Sequence, residues 1–352
     1  MALVTLLAPC SMLQAYAQDR KLLALLPFEN VSGSVSSLPI IMPLVQQTLR
    51  SKGYEIVAPE KLEPFLLRHR IRNTGMLSRA QLNNLRQEFG TDVALVGSVD
   101  LFHESEQNPQ WGLSSRIAST VDGTILWAES AGLTGGDFTR VLGLGTIRSP
   151  TRLAEEVVKA LFRSLPASGT PPAQPSPTSP GWRTMRSRYG YRNALLDSAG
   201  SWRVAVLLIE NASERPGAGR ILTDVLTTTL FQRGRFAVVD PGEPNDALAA
   251  LGVAPHESFD LATLTELKKR AGIDALVLGT VYRYNEGLKR EATTSPEVAL
   301  DIRMIHAESG KIVWVASGEG TGDDYQIVLD FGVVRSMVSL LRRVLQGMLE
   351  TL

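Results

Sequence analysis

A long internal repeat is the feature that most constrains this chain of 352 residues. The matched segments keep one order and a slowly growing spacing: Glu29-Asn30 with Glu210-Asn211, Ala94–Val99 with Leu276–Val281, and Trp127 with Trp314. Insertions in loops leave such a drift in spacing. The period is far longer than the roughly 20–50 residues of a solenoid repeat. The repeat therefore predicts two tandem domains of one fold.

Apolar patterning predicts the fold of each copy. The continuous apolar runs Leu22–Phe28 and Val204–Ile209 indicate central strands that are buried on both faces. Ile41, Val45 and Leu49 recur at helical spacing. Turn pairs ending in glycine join the later strands as hairpins. Each copy is predicted as β-α-β-α-β-β-β-α, an α/β sandwich in which helices pack on a mixed sheet.

Composition divides the chain into four predicted segments. They are an export segment at 1–18, a first domain at 19–165, a linker at 166–199 and a second domain at 200–352. The linker begins with the proline-dense stretch Pro166–Pro180, which predicts an extended and semi-rigid spacer. The basic stretch Trp182–Ser201 follows, and its structure is left open.

The N-terminal residues resemble an export signal. Ala2–Leu13 is mostly apolar, and Ala15-Tyr16-Ala17 fits a small-x-small cleavage site. Cys10 is the single cysteine, and Leu7–Cys10 resembles a lipobox in which this cysteine receives a lipid. Secretion, lipid anchoring at Cys10 and a cytosolic protein with an apolar start all remain open. After Gln18 no apolar run reaches the roughly 18–20 residues of a membrane-spanning helix.

The search for catalytic and binding chemistry is negative. The net charge is zero, so no long-range field favours nucleic acid. The four histidines are scattered, without the spacing of metal ligands. Neither a Gly-x-Ser-x-Gly nucleophile elbow nor a phosphate-binding Gly-x-x-x-x-Gly-Lys loop occurs. We expect no enzyme, no metal and no cofactor.

Individual residues carry structural expectations. Pro43 lies inside the first helix, where it predicts a kink or a later helix start. Gly97 and Gly279 lie in mid-strand and predict a bulge or the close approach of another element. Trp127 and Trp314 are expected to cap the core or the sheet edge.

Several strings resemble a known family of bacterial envelope domains. They are Leu26–Asn30, Gly53–Val57, Asp92–Val99, Asp122–Trp127 and, in the second copy, Gly272–Val281 and Ser309–Trp314. They are similar to the domain shared by the TolB N-terminal domain, the curli secretion lipoprotein CsgG and the penicillin-binding-protein activator LpoB. The second copy departs at Leu208-Ile209, where Pro-Phe is usual. The resemblance implies a non-enzymatic module of the periplasm or the outer membrane that binds other proteins.

The functional hypothesis is a periplasmic adaptor with two protein-binding copies. Two weak sites on one chain gain avidity through effective concentration. The candidate partner-binding residues are Phe102, His103, Tyr282, Tyr284, Asp323 and Asp324. Partners are expected to be other envelope proteins or further copies of the chain, and the membrane is reached only through a lipid on Cys10. The alternatives are a self-assembling subunit of a secretion complex and a small-molecule sensor. For Asp323 and Asp324, a cation site is weighed against a turn that leads into the last helix and places acidic residues at its positive N-terminal end.

Overall fold

The computed structural model of the protein describes residues 22–139, 145–170, 189–198, 202–254, 259–287, 295–327 and 332–352. The export segment with Cys10 and residues 171–188 of the predicted linker lie outside the described residues. We refer to residues 22–170 as the first lobe and to residues 189–352 as the second lobe.

The first lobe is built on a six-stranded sheet. Its strands are β1 (Leu22–Leu25), β2 (Glu29–Asn30), β3 (Glu55–Ile56), β4 (Val93–His103), β5 (Gln110–Ser119) and β6 (Ile125–Thr134). Its helices are α1 (Ser37–Ser51), α2 (Pro59–Arg68), α3 (Arg79–Phe89) and α4 (Pro150–Leu161). A short 3₁₀ helix, Gly135–Phe138, follows β6.

The second lobe is built on a seven-stranded sheet. Its strands are β7 (Tyr189–Arg192), β8 (Arg203–Val206), β9 (Glu210–Asn211), β10 (Ala237–Val239), β11 (Ala275–Asn285), β12 (Glu297–His306) and β13 (Ile312–Thr321). Its helices are α5 (Ala218–Gln232), α6 (Gly242–Leu251), α7 (Leu261–Ala271) and α8 (Met337–Leu349). Short 3₁₀ helices are Ala194–Ser198 and Gly322–Tyr325.

The two sheets share one strand order. It is β3-β1-β4-β5-β6 in the first sheet and β10-β8-β11-β12-β13 in the second, where β7 is added beside β13. The pairs around β1 and β8 are parallel, whereas the hairpin strands β4–β6 and β11–β13 are antiparallel. The prediction of an α/β fold, with helices packed on mixed sheets, is therefore confirmed.

The helices follow the predicted apolar stripes. Ile41, Val45 and Leu49 of α1 are fully buried. Pro43 does not mark a late start, because α1 already begins at Ser37 and the proline lies on its exposed side. Helix α3 ends on Gly90 in the left-handed conformation, with φ of 67°, which glycine adopts without a Cβ clash.

Two helices and one edge strand were absent from the sequence prediction, apart from short strands and 3₁₀ helices. Helices α2 and α6 were missed because proline and glycine interrupt their patterns, although a proline at the first helical position, such as Pro59, favours a helix start. Strand β7 comes from the basic stretch inside the predicted linker 166–199, and it pairs antiparallel with β13. That segment therefore completes the edge of the second sheet.

The predictions for the mid-strand glycine Gly97 and for the two tryptophans can be traced to specific contacts. A Cβ on Gly97 would lie 2.6 Å from the ring of Phe28, so the glycine admits that ring against the sheet. The indole Nε1 of Trp127 donates to Ser164 at 3.1 Å, and that of Trp314 donates to Thr351 at 3.0 Å. Both tryptophans are buried, as expected of core residues with one polar atom to satisfy.

Helices cover the sheets in layers. Helices α1 and α4 pack on one face of the first sheet, and α2 and α3 pack on part of the other. In the second lobe α5 and α8 take the places of α1 and α4, while α6 and α7 take those of α2 and α3. The rest of the second face of β4–β6 is covered by α5 and α8 of the other lobe. None of the described helices has the length and apolarity to cross a bilayer.

Candidate protein-docking face

A buried guanidinium lies at the centre of the contact between the lobes. Arg116 on β5 is 2% exposed. It donates from Nε to Asp240 Oδ2 at 2.7 Å, from Nη1 to Asp224 Oδ1 at 2.9 Å, and from Nη2 to the carbonyl of Gly75 at 2.5 Å. Burial opposes the charge, but the two carboxylates of the second lobe outweigh it and raise the pKa of Arg116. Arg116 therefore links the lobes as a charged group.

A second arginine crosses the contact in the opposite direction. Arg220 on α5 donates from Nη2 to Glu29 Oε2 of the first lobe at 2.7 Å and to the carbonyl of Gly75 at 3.0 Å. Its Nη1 lies 2.6 Å from Asp224 Oδ1. Asp224 is 1% exposed and pairs with both Arg116 and Arg220. Buried charges persist when they are paired in this way.

A fourth acidic group, Asp100, lies beside Asp224. Asp100 on β4 is fully buried and accepts hydrogen bonds from Ser98 Oγ at 2.5 Å and Ser114 Oγ at 2.6 Å. Burial, and then the negative charge of Asp224, raise the pKa of Asp100 to about 7. The contact between the lobes therefore contains a carboxyl group that holds its proton well above the usual pH.

The outer edge of β6 is also bonded to the second lobe. Alternate β6 carbonyls accept hydrogen bonds from helix side chains: Ala128 O from Gln232 Nε2 at 3.2 Å, Ser130 O from Arg342 Nη1 at 2.6 Å, and Gly132 O from Ser339 Oγ at 2.9 Å. A strand edge left unpaired is open to pairing with another chain. In this protein α5 and α8 satisfy that edge.

The turn between β5 and β6 lies against the edge strand of the second sheet. Thr124 forms an antiparallel bridge with Val239 of β10. The amide of Asp240 donates to the carbonyl of Gly123 at 3.0 Å, and Arg203 Nη2 donates to the carbonyl of Asp122 at 3.1 Å. The contact between the lobes thus combines a sheet face, a helix layer and one added turn.

The second sheet carries the same face without such a cover. We define the open face as the outward side chains of β11, β12 and β13: Thr280, Tyr282, Asp301, Arg303, Val315 and Ser317. The strand registers match these residues to the face of the first sheet that α5 and α8 cover. The row Thr280, Asp301 and Ser317 corresponds to the row Ser98, Ser114 and Ser130, and the pair Arg303 and Val315 corresponds to Arg116 and Ala128. Residues of the open face are exposed or half-buried, whereas their counterparts are buried.

Tyr282 is the most prominent side chain of the open face. It is 53% exposed, and its hydroxyl donates to Asp301 Oδ2 at 3.2 Å. Partial burial, and then Asp301, raise the pKa of Tyr282. A shallow cavity of about 190 Å³ lies beside it, with Leu208, Leu278 and Val315 in its lining. Pockets for small molecules usually measure about 300–1,000 Å³, so this cavity suits a side chain of a partner protein better than a free ligand.

The structure separates the other candidate residues. Phe102 and Tyr284, which were expected at exposed strand ends, are 8% and 6% exposed. The ring of Phe102 stacks on Trp111 with centroids 4.0 Å apart, and Tyr284 belongs to the core of the second lobe. His103 lies half-buried at the end of β4. Of the four strand-end residues, only Tyr282 lies on the open face.

The acidic pair after β13 acts as a cap. Asp324 Oδ2 accepts from the amide of Thr321 at 2.6 Å and closes a capping box on the 3₁₀ helix. The carboxylate of Asp323 accepts from the hydroxyl of Ser295. In the first lobe, Asp137 forms the equivalent cap. The pair therefore lies on a short 3₁₀ helix and not at the start of the last helix, α8, which begins at Met337. No group of three potential metal-ligating side chains occurs in the described part of the chain.

The residues at the lobe contact were not among the sequence predictions. Arg116 interrupts a strand of small and apolar residues, and Asp224 interrupts the apolar helix α5. Each charge is expensive to bury alone. An arginine in one predicted buried element and an aspartate in another were therefore the sequence signal that the strand and the helix contact each other.

Comparisons with known proteins do not establish a family for this chain. No family model and no curated protein matches the chain. Among solved structures, the chain is similar to the PelC dodecamer from Paraburkholderia phytofirmans, with 20% identity, a TM-score of 0.32, and coverage of 46% of this chain and 94% of that one.

Two further solved structures are similar over part of the chain. The lipoprotein GNA1162 from Neisseria meningitidis has 20% identity and a TM-score of 0.31, and the match covers 40% of this chain and 94% of that one. The C-terminal domain of LpoB from Escherichia coli has 15% identity and a TM-score of 0.25, with coverage of 34% and 82%. Each match covers less than half of this chain, so the family resemblance remains a prediction.

Proposed function

We propose that the protein is a non-enzymatic adaptor of the bacterial envelope, located in the periplasm or at the periplasmic side of the outer membrane, whose open face binds a partner protein. The support for an envelope location is the apolar segment with Cys10 and the resemblance of the repeated motifs. A lipid on Cys10 is the proposed route to the membrane.

One observation carries the binding role. The face of β4–β6 that matches the open face holds a helix layer through buried hydrogen bonds and ion pairs. The open face of β11–β13 has the same strand register and the same position relative to its lobe. It also presents aromatic, charged and apolar groups together, which is the composition that favours protein contacts.

The two copies have different roles in this proposal. The avidity hypothesis required each copy to present a binding site, either a sheet edge or a helix-lined groove. In the structure, α5 and α8 cover the face of the first lobe, so among the described residues one of the two matched faces is exposed. Partner binding is therefore expected to depend on the second lobe, with the first lobe as its support.

Photo-crosslinking in cells tests the proposal. A photoreactive amino acid replaces Tyr282 in one strain and Lys269 in a control strain; the side chain of Lys269 is 78% exposed on α7. We expect a discrete crosslinked protein from position 282 and none from position 269. Absence of any position-specific crosslink, with the protein present at its normal level, would contradict binding at the open face.

A further inference from the structure

The contact between the lobes is not reciprocal. The first lobe contributes a sheet face, and the second lobe contributes the layer of α5 and α8. A contact between two different surfaces of matched units leaves one copy of each surface unused. The unused surfaces are the open face of the second lobe and the outward side of α1 and α4 in the first lobe.

We propose that a second copy of this chain occupies the open face, with its α1 and α4 in the position that α5 and α8 take on the first sheet. This inference rests on the proposed function and names the partner of the same site. Because both surfaces belong to every chain, the copies would join head to tail.

The outward side of α1 and α4 is exposed in the described structure. We call it the outer helix surface and define it by Pro39, Ile40, Pro43, Leu44 and Gln47 of α1 and Arg152 and Glu155 of α4. Pro39, Pro43 and Gln47 are exposed, and Ile40 and Leu44 are half-buried. Asp224 and Thr228 of α5, at the places matched to Pro43 and Gln47, are buried against the first lobe.

The two unused surfaces differ from the used ones in a complementary way. The contact between the lobes brings together Asp100 and Asp224, and it neutralises Asp224 with two arginines. At the matched positions the open face has Tyr282 and the outer helix surface has Pro43. Tyr282 and Pro43 therefore stand where the contact between the lobes has the carboxylates of Asp100 and Asp224. Tyrosine against proline buries apolar area.

A groove in the first lobe gives a second, independent observation. It has a volume of about 670 Å³ and lies between the edge strand β3 and helix α2, with Ile56, Val57 and Ala58 in its lining. At the matched edge of the second sheet, Val239 is bridged by the turn that carries Thr124. The turn between β12 and β13, at Ser309-Gly310, occupies the position matched to that turn. In a head-to-tail pair it reaches the groove of the next copy.

The contact between copies is expected to be weaker than that between lobes. Gly132 lies so close to Ser336 and Val338 that a Cβ would overlap them, whereas its counterpart on the open face is Glu319. Ser339 contacts Gly132, and the residues matched to these two are Arg152 and Glu319. In the contact between copies, Arg152 and Glu319 therefore lie on opposite sides of a wider gap and carry opposite charges. We therefore expect an association that depends on protein concentration.

Mass measurement on the purified full chain tests the inference. The monomer mass is 38.3 kDa. Sedimentation over a range of concentrations should show species beyond the dimer, because head-to-tail contacts continue from copy to copy. Tyr282→Asp should weaken the association by about tenfold or more, and so should Pro43→Arg, which places a second cation opposite Arg303 where the contact between the lobes pairs Arg116 with Asp224. Lys269→Asp on α7 should leave the association unchanged.

Mixing the two blocked variants is the decisive step. Tyr282→Asp keeps an intact outer helix surface, and Pro43→Arg keeps an intact open face. Their mixture should therefore form dimers and stop there. A full chain that stays monomeric at all concentrations up to about 100 μM, far above the roughly micromolar range of specific contacts, would overturn the inference. So would a mixture that does not recover dimers.

Crosslinking at position 282 separates the two proposals. A crosslink to another copy of the chain supports both. A crosslink to a different protein supports the adaptor role and overturns self-association. No crosslink contradicts both.

Discussion

Replacing Arg116 by methionine tests how the lobes are held together. The substitution keeps an unbranched side chain but removes three hydrogen bonds, to Asp240, Asp224 and the carbonyl of Gly75. Removal of one partner from a buried ion pair costs about 3–5 kcal/mol, since it leaves a buried charge uncompensated. Asp224 retains Arg220 at 2.6 Å. We therefore expect the lower end of the range, about 3 kcal/mol.

The Asp240 carboxylate carries most of this loss. It is 0% exposed, and after the substitution it keeps only the amide donors of Leu77 at 3.0 Å and Gly242 at 2.9 Å. Its negative charge is then no longer balanced by a guanidinium. The contact between the lobes should weaken before either lobe unfolds.

Urea denaturation followed by tryptophan fluorescence measures the effect. The wild type is expected to unfold in one transition, because the core of the second lobe continues into Leu101, Ile125 and Ala128 of the first. Arg116→Met should lower the midpoint or divide the transition in two. The matched control is Arg303→Met on the open face, which should change the free energy of unfolding by less than about 0.5 kcal/mol. Equal effects of the two substitutions would refute the reasoning.

Three further substitutions follow from the same contacts. The pKa of Asp100 in the folded chain is about 7, above its ordinary 3.8, so between these values the folded state binds more protons than the unfolded state. The free energy of unfolding should therefore fall as the pH rises from about 4 to 7. Asp100→Asn should remove this dependence in denaturation curves measured across that range. A Cβ on Gly242 would lie 2.6 Å from the carbonyl oxygen of Leu77, so Gly242→Ala should push the lobes apart and lower the thermal midpoint, at about 1–3 kcal/mol. Asp324→Ala removes the cap on Thr321 and should cost about 1 kcal/mol of stability without reducing crosslinking at the open face.

Each substitution has a matched control. Asp92→Asn, at a carboxylate whose side chain is 74% exposed, should not reproduce the pH effect of Asp100→Asn. Gly136→Ala, where the nearest atom would be a flexible arginine side chain at 3.3 Å, should be milder than Gly242→Ala. Loss of crosslinking in Asp324→Ala would show that this acidic pair takes part in binding.

Patterns within one element predicted most of the fold. The spacing of Ile41, Val45 and Leu49 identified α1, and the apolar runs identified β1 and β8. These signals succeed because burial on one face imposes a period on the sequence. Helices α2 and α6 escaped the same test because Pro64 and Pro244 interrupt their patterns.

The candidate site was predicted only in part, because exposure depends on what other elements cover. Tyr282 and Asp100 occupy matched places in matched strands, yet one is exposed and the other is buried under α5. Nothing local distinguishes a covered strand end from an open one. Phe102 and Tyr284 illustrate this, because neighbouring core side chains bury both of them.

Thiol labelling at two matched positions tests the central claim most directly. Cys10 is the single cysteine, so in a Cys10→Ser background Ser114→Cys reports on the covered face and Asp301→Cys on the open face. In dilute protein, we expect a maleimide reagent to modify position 301 rapidly and position 114 at least about a hundredfold more slowly, as its reaction requires the lobes to open. Equal rates at the two positions would contradict the claim that one face is occupied within the chain and the other is available to a partner.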